Sequence, residues 1–144
     1  MTIPEEFVER TDVPIIKMEE RKKKVLFHNQ CRREYLKIQI DDGVCQDQEL
    51  KCDKLLRSLD AARDYFVELK GDDVHHAVKQ LLATVRRFHT KSTKCFIRAL
   101  AVTTSAAPKT DTTVMHVQAQ LKAFNHATLL IKRSPAEYDL DADL

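Results

Sequence analysis

The chain has 144 residues, of which 43% are hydrophobic and 32% are charged, and its formal net charge is +2. This size and apolar content predict a single domain that forms its core without disulfides or a structural metal. A charge so close to balance neither requires nor excludes nucleic acid as a partner. Two glycines are too few for a glycine-rich phosphate loop, and no stretch is apolar and long enough to span a bilayer.

The N-terminal sequence MTIPEEFVER lacks the basic and then apolar order of a signal peptide. We therefore expect a cytoplasmic protein with no membrane partner, in which cysteines stay reduced. The spacings between the cysteines match no zinc pattern, so we interpret these residues as packing groups. They are Cys31, Cys45, Cys52 and Cys95.

The first half of the chain predicts strands after an ambiguous start. Residues 4–12 and 16–26 carry many charges with scattered apolar positions, a pattern that fits a helix or a basic arm. Three strands joined by short turns are then predicted. Their signals are alternating polar and apolar side chains or short apolar runs. These strands cover residues 34–40, 50–59 and 64–70. Short turns between successive strands predict an antiparallel meander.

The second half alternates helices and strands. Gly71 ends the third strand, and Asp72 or Asp73 can cap the helix that follows. Apolar residues recur there at helical spacing, at Val74, Ala77, Val78, Leu81, Leu82, Val85 and Phe88. A strand within 94–104, a helix over 114–127 and a strand over 128–133 complete the order. This order predicts an α/β fold, a mixed β-sheet flanked by helices.

The domain boundary and the basic clusters follow from the distribution of charge. We predict one domain over residues 1–134 and an acidic C-terminal tail over 135–144. The tail would suit docking on a basic partner. We assign phosphate-backbone contacts to a basic set, because such contacts need charge but no sequence code. The set is Arg21, Lys22, Lys23, Lys24 and Arg87. A solvated, lysine-rich helix face is the alternative for residues 21–24.

Three charged residues interrupt the second and third predicted strands: Asp53, Glu68 and Lys70. A charge in a covered strand costs several kcal/mol unless it is paired or holds a metal. Glu68 and Lys70 share one face, because side chains alternate along a strand. A hairpin between the two strands would bring Asp53 nearly opposite Glu68. An exposed strand face is the alternative interpretation of Glu68 and Lys70.

Two carboxylates and a lysine at this separation suit phosphodiester hydrolysis. Asp53 and Glu68 can hold Mg²⁺ or Mn²⁺ through oxygen ligands, and the backbone carbonyl of Leu69 can add another. The metal would polarise the phosphodiester and activate water. Lys70 can stabilise the negative charge of the transition state or orient that water.

Asp53, fourteen further residues, and then Glu68, Leu69 and Lys70 match the D…ExK signature of the PD-(D/E)XK nuclease-like superfamily. The segment CDKLLRSLDAARDYFVELKGDDVHHAVKQLLATV also resembles small proteins of that superfamily that carry a CD…YFVELKG…HA…QL run. The resemblance covers about residues 45–105. It implies a restriction-endonuclease-like fold in which Asp53 and Glu68 ligate metal and Lys70 is catalytic.

The resemblance also implies supporting residues. An acidic residue from the first helix often completes the site in this superfamily, and the candidates here are Glu19, Glu20 and Glu34. Some members position substrate with a glutamine that is followed four residues later by a tyrosine. Gln80 matches the glutamine, but Thr84 stands in place of the tyrosine. A solvated flank of the helix is the alternative interpretation of Gln80.

The sequence thus predicts a metal-dependent nuclease that acts on DNA, with RNA as a weaker alternative. A domain of this size would work as a homodimer or as a subunit of a repair, recombination or anti-phage assembly. Some members of the superfamily have lost catalysis. The alternative function is therefore a catalytically inactive binding or assembly protein with the same fold.

Overall fold

The computed structural model describes residues 3–41, 43, 51–69, 73–90, 94–104 and 111–144. The strands in this part of the chain are β1 (Val8–Thr11), β2 (Ile15–Glu20), β3 (Lys23–His28), β4 (Tyr35–Gln39), β5 (Lys54–Ser58), β6 (Arg63–Glu68), β7 (Phe96–Thr103), β8 (Thr128–Arg133) and β9 (Ala136–Asp139). The α-helices are α1 (Val74–Phe88) and α2 (Thr112–Leu121), and 3₁₀ helices cover Glu5–Phe7 and Leu140–Asp143.

A mixed six-stranded sheet forms the centre of the fold, in the order β1-β4-β5-β6-β7-β8. Strands β4, β5 and β6 are the predicted antiparallel meander. Strand β7 runs parallel to β6, and β8 runs parallel to β7. The helices α1 and α2 come before β7 and β8 in the chain, which is the usual way to connect parallel strands. The α/β class and the mixed sheet are therefore confirmed. The prediction of helices on both faces is corrected, because α1 and α2 cover one face of the sheet and a second β-sheet covers the other.

A second sheet, in the order β2-β3-β9, corrects the prediction of a helix or a basic arm at the N-terminus. Strands β2 and β3 form an antiparallel hairpin. Ile16 and Met18 are buried while Lys17 and Glu19 are exposed, so β2 does alternate with period two. The many charged residues within 16–26 made this short alternation of buried and exposed side chains difficult to recognise in the sequence.

The last ten residues, predicted as an acidic tail, contain strand β9 of the second sheet and the 3₁₀ helix Leu140–Asp143. Strand β9 pairs in parallel with β3, and Leu140 beyond it is fully buried. The carboxylate of Asp143 accepts hydrogen bonds from the hydroxyls of Tyr65, at 2.7 Å, and Tyr138, at 2.6 Å. The acidic side chain of Asp143 therefore binds within the fold instead of projecting towards a basic partner.

Hydrophobic cores lie on both faces of the large sheet. The core beneath the helices combines α1 and α2 with residues such as Ile38, Leu55 and Phe66. The core between the two sheets includes Phe27 and Tyr65, whose ring centroids are 5.9 Å apart. Of the cysteines, Cys52 and Cys95 are buried and Cys31 is exposed, whereas Cys45 lies outside the described residues.

Helix α1 has the predicted bounds and buries the predicted face. Its buried apolar residues are Ala77, Val78, Leu81, Leu82, Val85 and Phe88. Lys79 and Arg86 are exposed, as expected from their positions. The side chain of Asp73 accepts a hydrogen bond from the backbone N–H of His75 at 2.9 Å and so caps the helix. Neither α-helix of the described chain is long and apolar enough to cross a bilayer.

Substitution of Leu81 by alanine should lower the free energy of unfolding by about 2–5 kcal/mol, the usual range for a core truncation. Leu81 is fully buried against the sheet. The measurement is urea denaturation followed by circular dichroism. Lys79→Ala on the exposed face is the control and should change stability by less than about 0.5 kcal/mol. A loss below about 1 kcal/mol for Leu81→Ala would mean that α1 does not pack as described.

Candidate functional site

Asp53 and Glu68 lie at the same end of two adjacent central strands. Asp53 is in the bend that precedes β5, and Glu68 is the last residue of β6. Because Lys54 pairs with Val67 in the antiparallel register, their neighbours Asp53 and Glu68 come side by side just beyond that pair. The two residues are only 1% and 2% exposed. The structure thus places side by side the two residues that the sequence predicted as metal ligands.

The backbone and carboxylate of Asp53 both bind the strand end. Its Oδ2 accepts a hydrogen bond from the backbone N–H of Leu69 at 2.6 Å. Its own N–H donates to the carbonyl of Val67 at 3.1 Å, and its carbonyl accepts from Ile40 at 2.9 Å. The carboxylate therefore accepts a backbone hydrogen bond from the residue that follows β6, just before β5 begins, as a carbonyl of a paired strand would. This contact also gives Asp53 a structural role.

Glu68 faces the helices. It lies between Val67 and Leu69, which both belong to the core between the sheets. Because strand side chains alternate, Glu68 is on the face that α1 covers.

Burial and the negative charges of both carboxylates raise the pKa of the neighbouring Cys52 thiol. Burial is the main cause that raises the pKa of Cys52, and the negative charge of Glu68 is the next. The charge of Asp53 raises this pKa further, although a hydrogen bond with Thr84 opposes the shift. Asp53 and Glu68 therefore belong to one polar cluster around Cys52, and they favour the neutral thiol there.

Helix α1 fixes the segment that leads into β5. The hydroxyl of Thr84 accepts a hydrogen bond from the N–H of Cys52 at 2.7 Å and donates to the carbonyl of Gln80 at 2.7 Å. The Gln80 amide donates to the carbonyl of Lys51 at 3.2 Å. Both polar residues of α1 thus hold the backbone next to Asp53. Gln80 therefore binds the backbone of the segment before β5 and does not lie on a solvated flank of α1.

Sequence reasoning missed Asp41 and Lys51 beside this cluster. The Lys51 ammonium is 3.7 Å from an oxygen of Asp41, and the Lys51 side chain is only 11% exposed. The N–H of Asp41 also donates to the carbonyl of Asp53 at 3.3 Å. Their positions in the sequence were the available signal. Lys51 is two residues before Asp53, and Asp41 follows β4, the strand that pairs with β5.

The predicted catalytic Lys70 lies outside the described residues, as do Gly71 and Asp72. Within the described residues, no group of three or more histidine, cysteine, aspartate and glutamate side chains is placed to hold a metal. The described part of the site is therefore a buried pair of carboxylates with its backbone supports.

No family model, curated protein or solved structure matches the chain.

The additional acidic candidates lie in separate places. Glu20 is on β2, and its carboxylate is 3.4 Å from the ammonium of Lys54. Glu34 precedes β4 and forms an exposed ion pair with Arg10. It lies at the far end of the meander from Asp53, because its carbonyl accepts from Leu59 beyond the end of β5. Glu34 is therefore not part of the cluster around Asp53 and Glu68.

The predicted basic set does not form one continuous surface. Arg21 and Lys22 make the exposed turn between β2 and β3, with positive φ angles of 47° and 68°. Lys23 is only 4% exposed, and Lys24 is half-buried. Arg87 is exposed on α1, which covers the opposite face of the large sheet from the β2–β3 hairpin. Arg21 and Lys22 are thus the most accessible members.

Proposed function

We propose that this protein is a Mg²⁺- or Mn²⁺-dependent nuclease that hydrolyses phosphodiester bonds in DNA. The observation that supports the proposal is the burial of Asp53 and Glu68 side by side at the ends of two central strands. A buried pair of carboxylates is costly unless hydrogen bonds or a cation compensate the charge. Carboxylate oxygens are the ligands that hard divalent cations prefer, so the donor set fits these metals.

The strand order supports a restriction-endonuclease-like fold within the α/β class. The antiparallel meander β4-β5-β6 is followed by α1 and then by the parallel strand β7. The resemblance of Asp53, Glu68 and Lys70 to the PD-(D/E)XK signature implies a core of a helix, strands, a second helix and a further strand. The described chain follows this order from the meander onwards, whereas the β2–β3 hairpin occupies the segment in which the first helix was expected. Glu68 ends the third strand of the meander, and Asp53 immediately precedes the second.

Each residue has a defined role in the proposal. Asp53 and Glu68 would hold the metal, and the bound ion would supply positive charge to polarise the phosphodiester. Lys70 would stabilise negative charge on the phosphate as the bond breaks. Leu69 orients Asp53 by donating its backbone N–H. Thr84 holds the preceding segment through the N–H of Cys52.

A catalytically inactive binding or assembly protein is the second candidate. It is favoured by the hydrogen bond between Asp53 and the backbone of Leu69, which explains a buried aspartate without any metal. In both cases we propose that the protein is cytoplasmic and acts as a homodimer or as a subunit of a repair, recombination or anti-phage assembly. DNA is the proposed nucleic acid, and RNA is the alternative.

Binding of Mn²⁺ should separate these two candidates. We expect the folded wild-type protein to bind Mn²⁺ and to nick supercoiled plasmid in its presence. Asp53→Asn and Glu68→Gln should each abolish binding, because each removes a charged oxygen ligand. Isothermal titration calorimetry measures the binding, and gel electrophoresis measures nicking. Glu34→Gln, at the far end of the meander, is the control and should bind as the wild type does. Failure of the folded wild type to bind Mn²⁺ or Mg²⁺ would contradict the nuclease proposal.

A further inference from the structure

Arg63, the first residue of β6, is a nearly buried cation with little compensation from its neighbours. It is 6% exposed, and its guanidinium carbon is 5.3 Å from the centroid of the Tyr35 ring. Its guanidinium donates a long hydrogen bond of 3.5 Å to the carbonyl of Leu140, and its backbone N–H donates to the hydroxyl of Ser58 at 3.0 Å. In the same part of the chain, no carboxylate oxygen lies within 4.0 Å of its guanidinium nitrogens.

The neighbouring arginine shows how this fold neutralises a guanidinium when the partner is internal. Arg57 donates to both oxygens of Asp64, at 2.8 Å and 3.0 Å. Arg63 has an aromatic face and one distant carbonyl instead. A buried cation with so little compensation is costly, because neither contact carries a full negative charge. A bound anion would remove that cost.

Arg63 lines a cleft that also contains Arg32 and Arg33 and has a volume of about 530 Å³. Two carboxylates line it as well, and both have partners. Glu34 pairs with Arg10. Asp60 accepts the Ser58 hydroxyl at 2.6 Å and the N–H of Ala62 at 3.1 Å. Asp60 keeps its negative charge, since these donors are neutral and the Ser58 hydrogen bond is the main cause that lowers its pKa. The three arginines outnumber the two carboxylates of the lining, and Glu34 is neutralised from outside by Arg10, so a positive charge is left for a ligand.

We infer that this cleft is an anion site that binds a phosphoryl group. The planar guanidinium fork matches the oxygens of phosphate, and three arginines line this one cavity. The cavity is larger than inorganic phosphate requires, so it has room for a nucleotide or for part of a nucleic-acid backbone. The phosphoryl group can thus come from a phosphomonoester or from a phosphodiester.

The anion site is separate from the carboxylate cluster. Arg63 begins β6 and Glu68 ends it, so the two are about 17 Å apart at the usual rise of a strand. Arg63 faces the core between the sheets, as Tyr65 does, whereas Glu68 faces the helices. The inference therefore does not depend on nuclease activity.

Thermal unfolding tests the anion site. In about 20 mM sodium phosphate, the Tm of the wild type should exceed its value in sodium chloride of equal ionic strength by about 3 °C or more, because a ligand stabilises the state that it binds. Arg63→Met should lose this rise. It should also have a higher Tm than the wild type in chloride, since a buried charge has been replaced by an apolar side chain. Arg86→Gln, on the exposed face of α1, should keep the phosphate effect.

The source of the phosphoryl group is resolved by two more ligands. Stabilisation by adenosine monophosphate indicates a phosphomonoester, and stabilisation only by an oligonucleotide without terminal phosphates indicates a backbone phosphodiester. If Arg63→Met does not fold, the double variant Arg32→Gln/Arg33→Gln replaces it and should also lose the rise. The inference is overturned if no phosphate ligand raises the Tm of the wild type, or if the arginine variant that folds retains the full rise.

Discussion

Substitution of Lys70 by alanine should reduce the nicking of supercoiled DNA by a factor on the order of 10² or more, while Mn²⁺ binding remains. The expected loss follows from the role of the lysine, since removal of one charge-stabilising group from a transition state typically costs this much. Mn²⁺ binding should persist, because the proposed ligands Asp53 and Glu68 remain in place. The measurement is the initial rate of nicking in Mg²⁺ or Mn²⁺, beside calorimetry of Mn²⁺ binding.

Lys51→Ala is an informative comparison for this experiment, because Lys51 is a second lysine close to Asp53 and is paired with Asp41. If Lys70 is the catalytic lysine, Lys51→Ala should retain most of the nicking rate. A large loss for Lys51→Ala with normal cleavage by Lys70→Ala would transfer the catalytic role to Lys51. If the folded wild type cuts neither DNA nor RNA, the binding or assembly function is the better explanation of the carboxylate pair.

Substitution of Asp64 by alanine should lower the free energy of unfolding by about 3–5 kcal/mol, because it leaves the cation of Arg57 partly buried without its partner. Asp64 is completely buried and accepts two hydrogen bonds from Arg57 and one from the hydroxyl of Thr90, at 3.1 Å. Arg57 also donates to the carbonyl of Phe88 at 2.9 Å. The pair therefore joins the meander to the end of α1.

The double variant Arg57→Met/Asp64→Leu provides the matched control for the ion pair. Replacing both charges by apolar side chains of similar size should recover much of the stability, because no charge is then left buried. Chemical denaturation of the wild type, the single variant and the double variant measures these differences. If Asp64→Ala loses less than about 1 kcal/mol, or if the double variant is as unstable as the single one, the ion pair does not have this role.

The sequence predicted the elements whose signals are local. The apolar stripe of α1 repeats at helical spacing, and its cap, Asp73, bonds a backbone N–H only two residues away. The meander β4-β5-β6 was predicted from its short turns and from runs of apolar or alternating side chains. The same hairpin reasoning predicted that Asp53 and Glu68 would be neighbours, because antiparallel register follows from the turn.

The N-terminal strands and the C-terminal segment could not be predicted in this way. Strand β3 pairs with β9, so Val25 meets Ala136 from more than a hundred residues further along the chain. One face of β2 is buried and the other is exposed and mostly charged. The charges on the exposed face obscured the alternation of buried and exposed residues. The acidic residues at the C-terminus looked like a tail because their partners, such as Tyr65 for Asp143, are distant in sequence.

The sequence by itself determined the helix, the meander and the residue types at the carboxylate pair, because periodicity, caps and turns act over a few residues. Only the tertiary structure decided which charges are buried and what compensates them. Arg63 and Asp64 are adjacent in sequence, yet they face opposite sides of the sheet. Asp64 meets Arg57 and is neutralised, whereas Arg63 meets Tyr35 and a basic cleft. The physical reason is that the free energy of a buried charge depends on groups that folding brings together from separate segments.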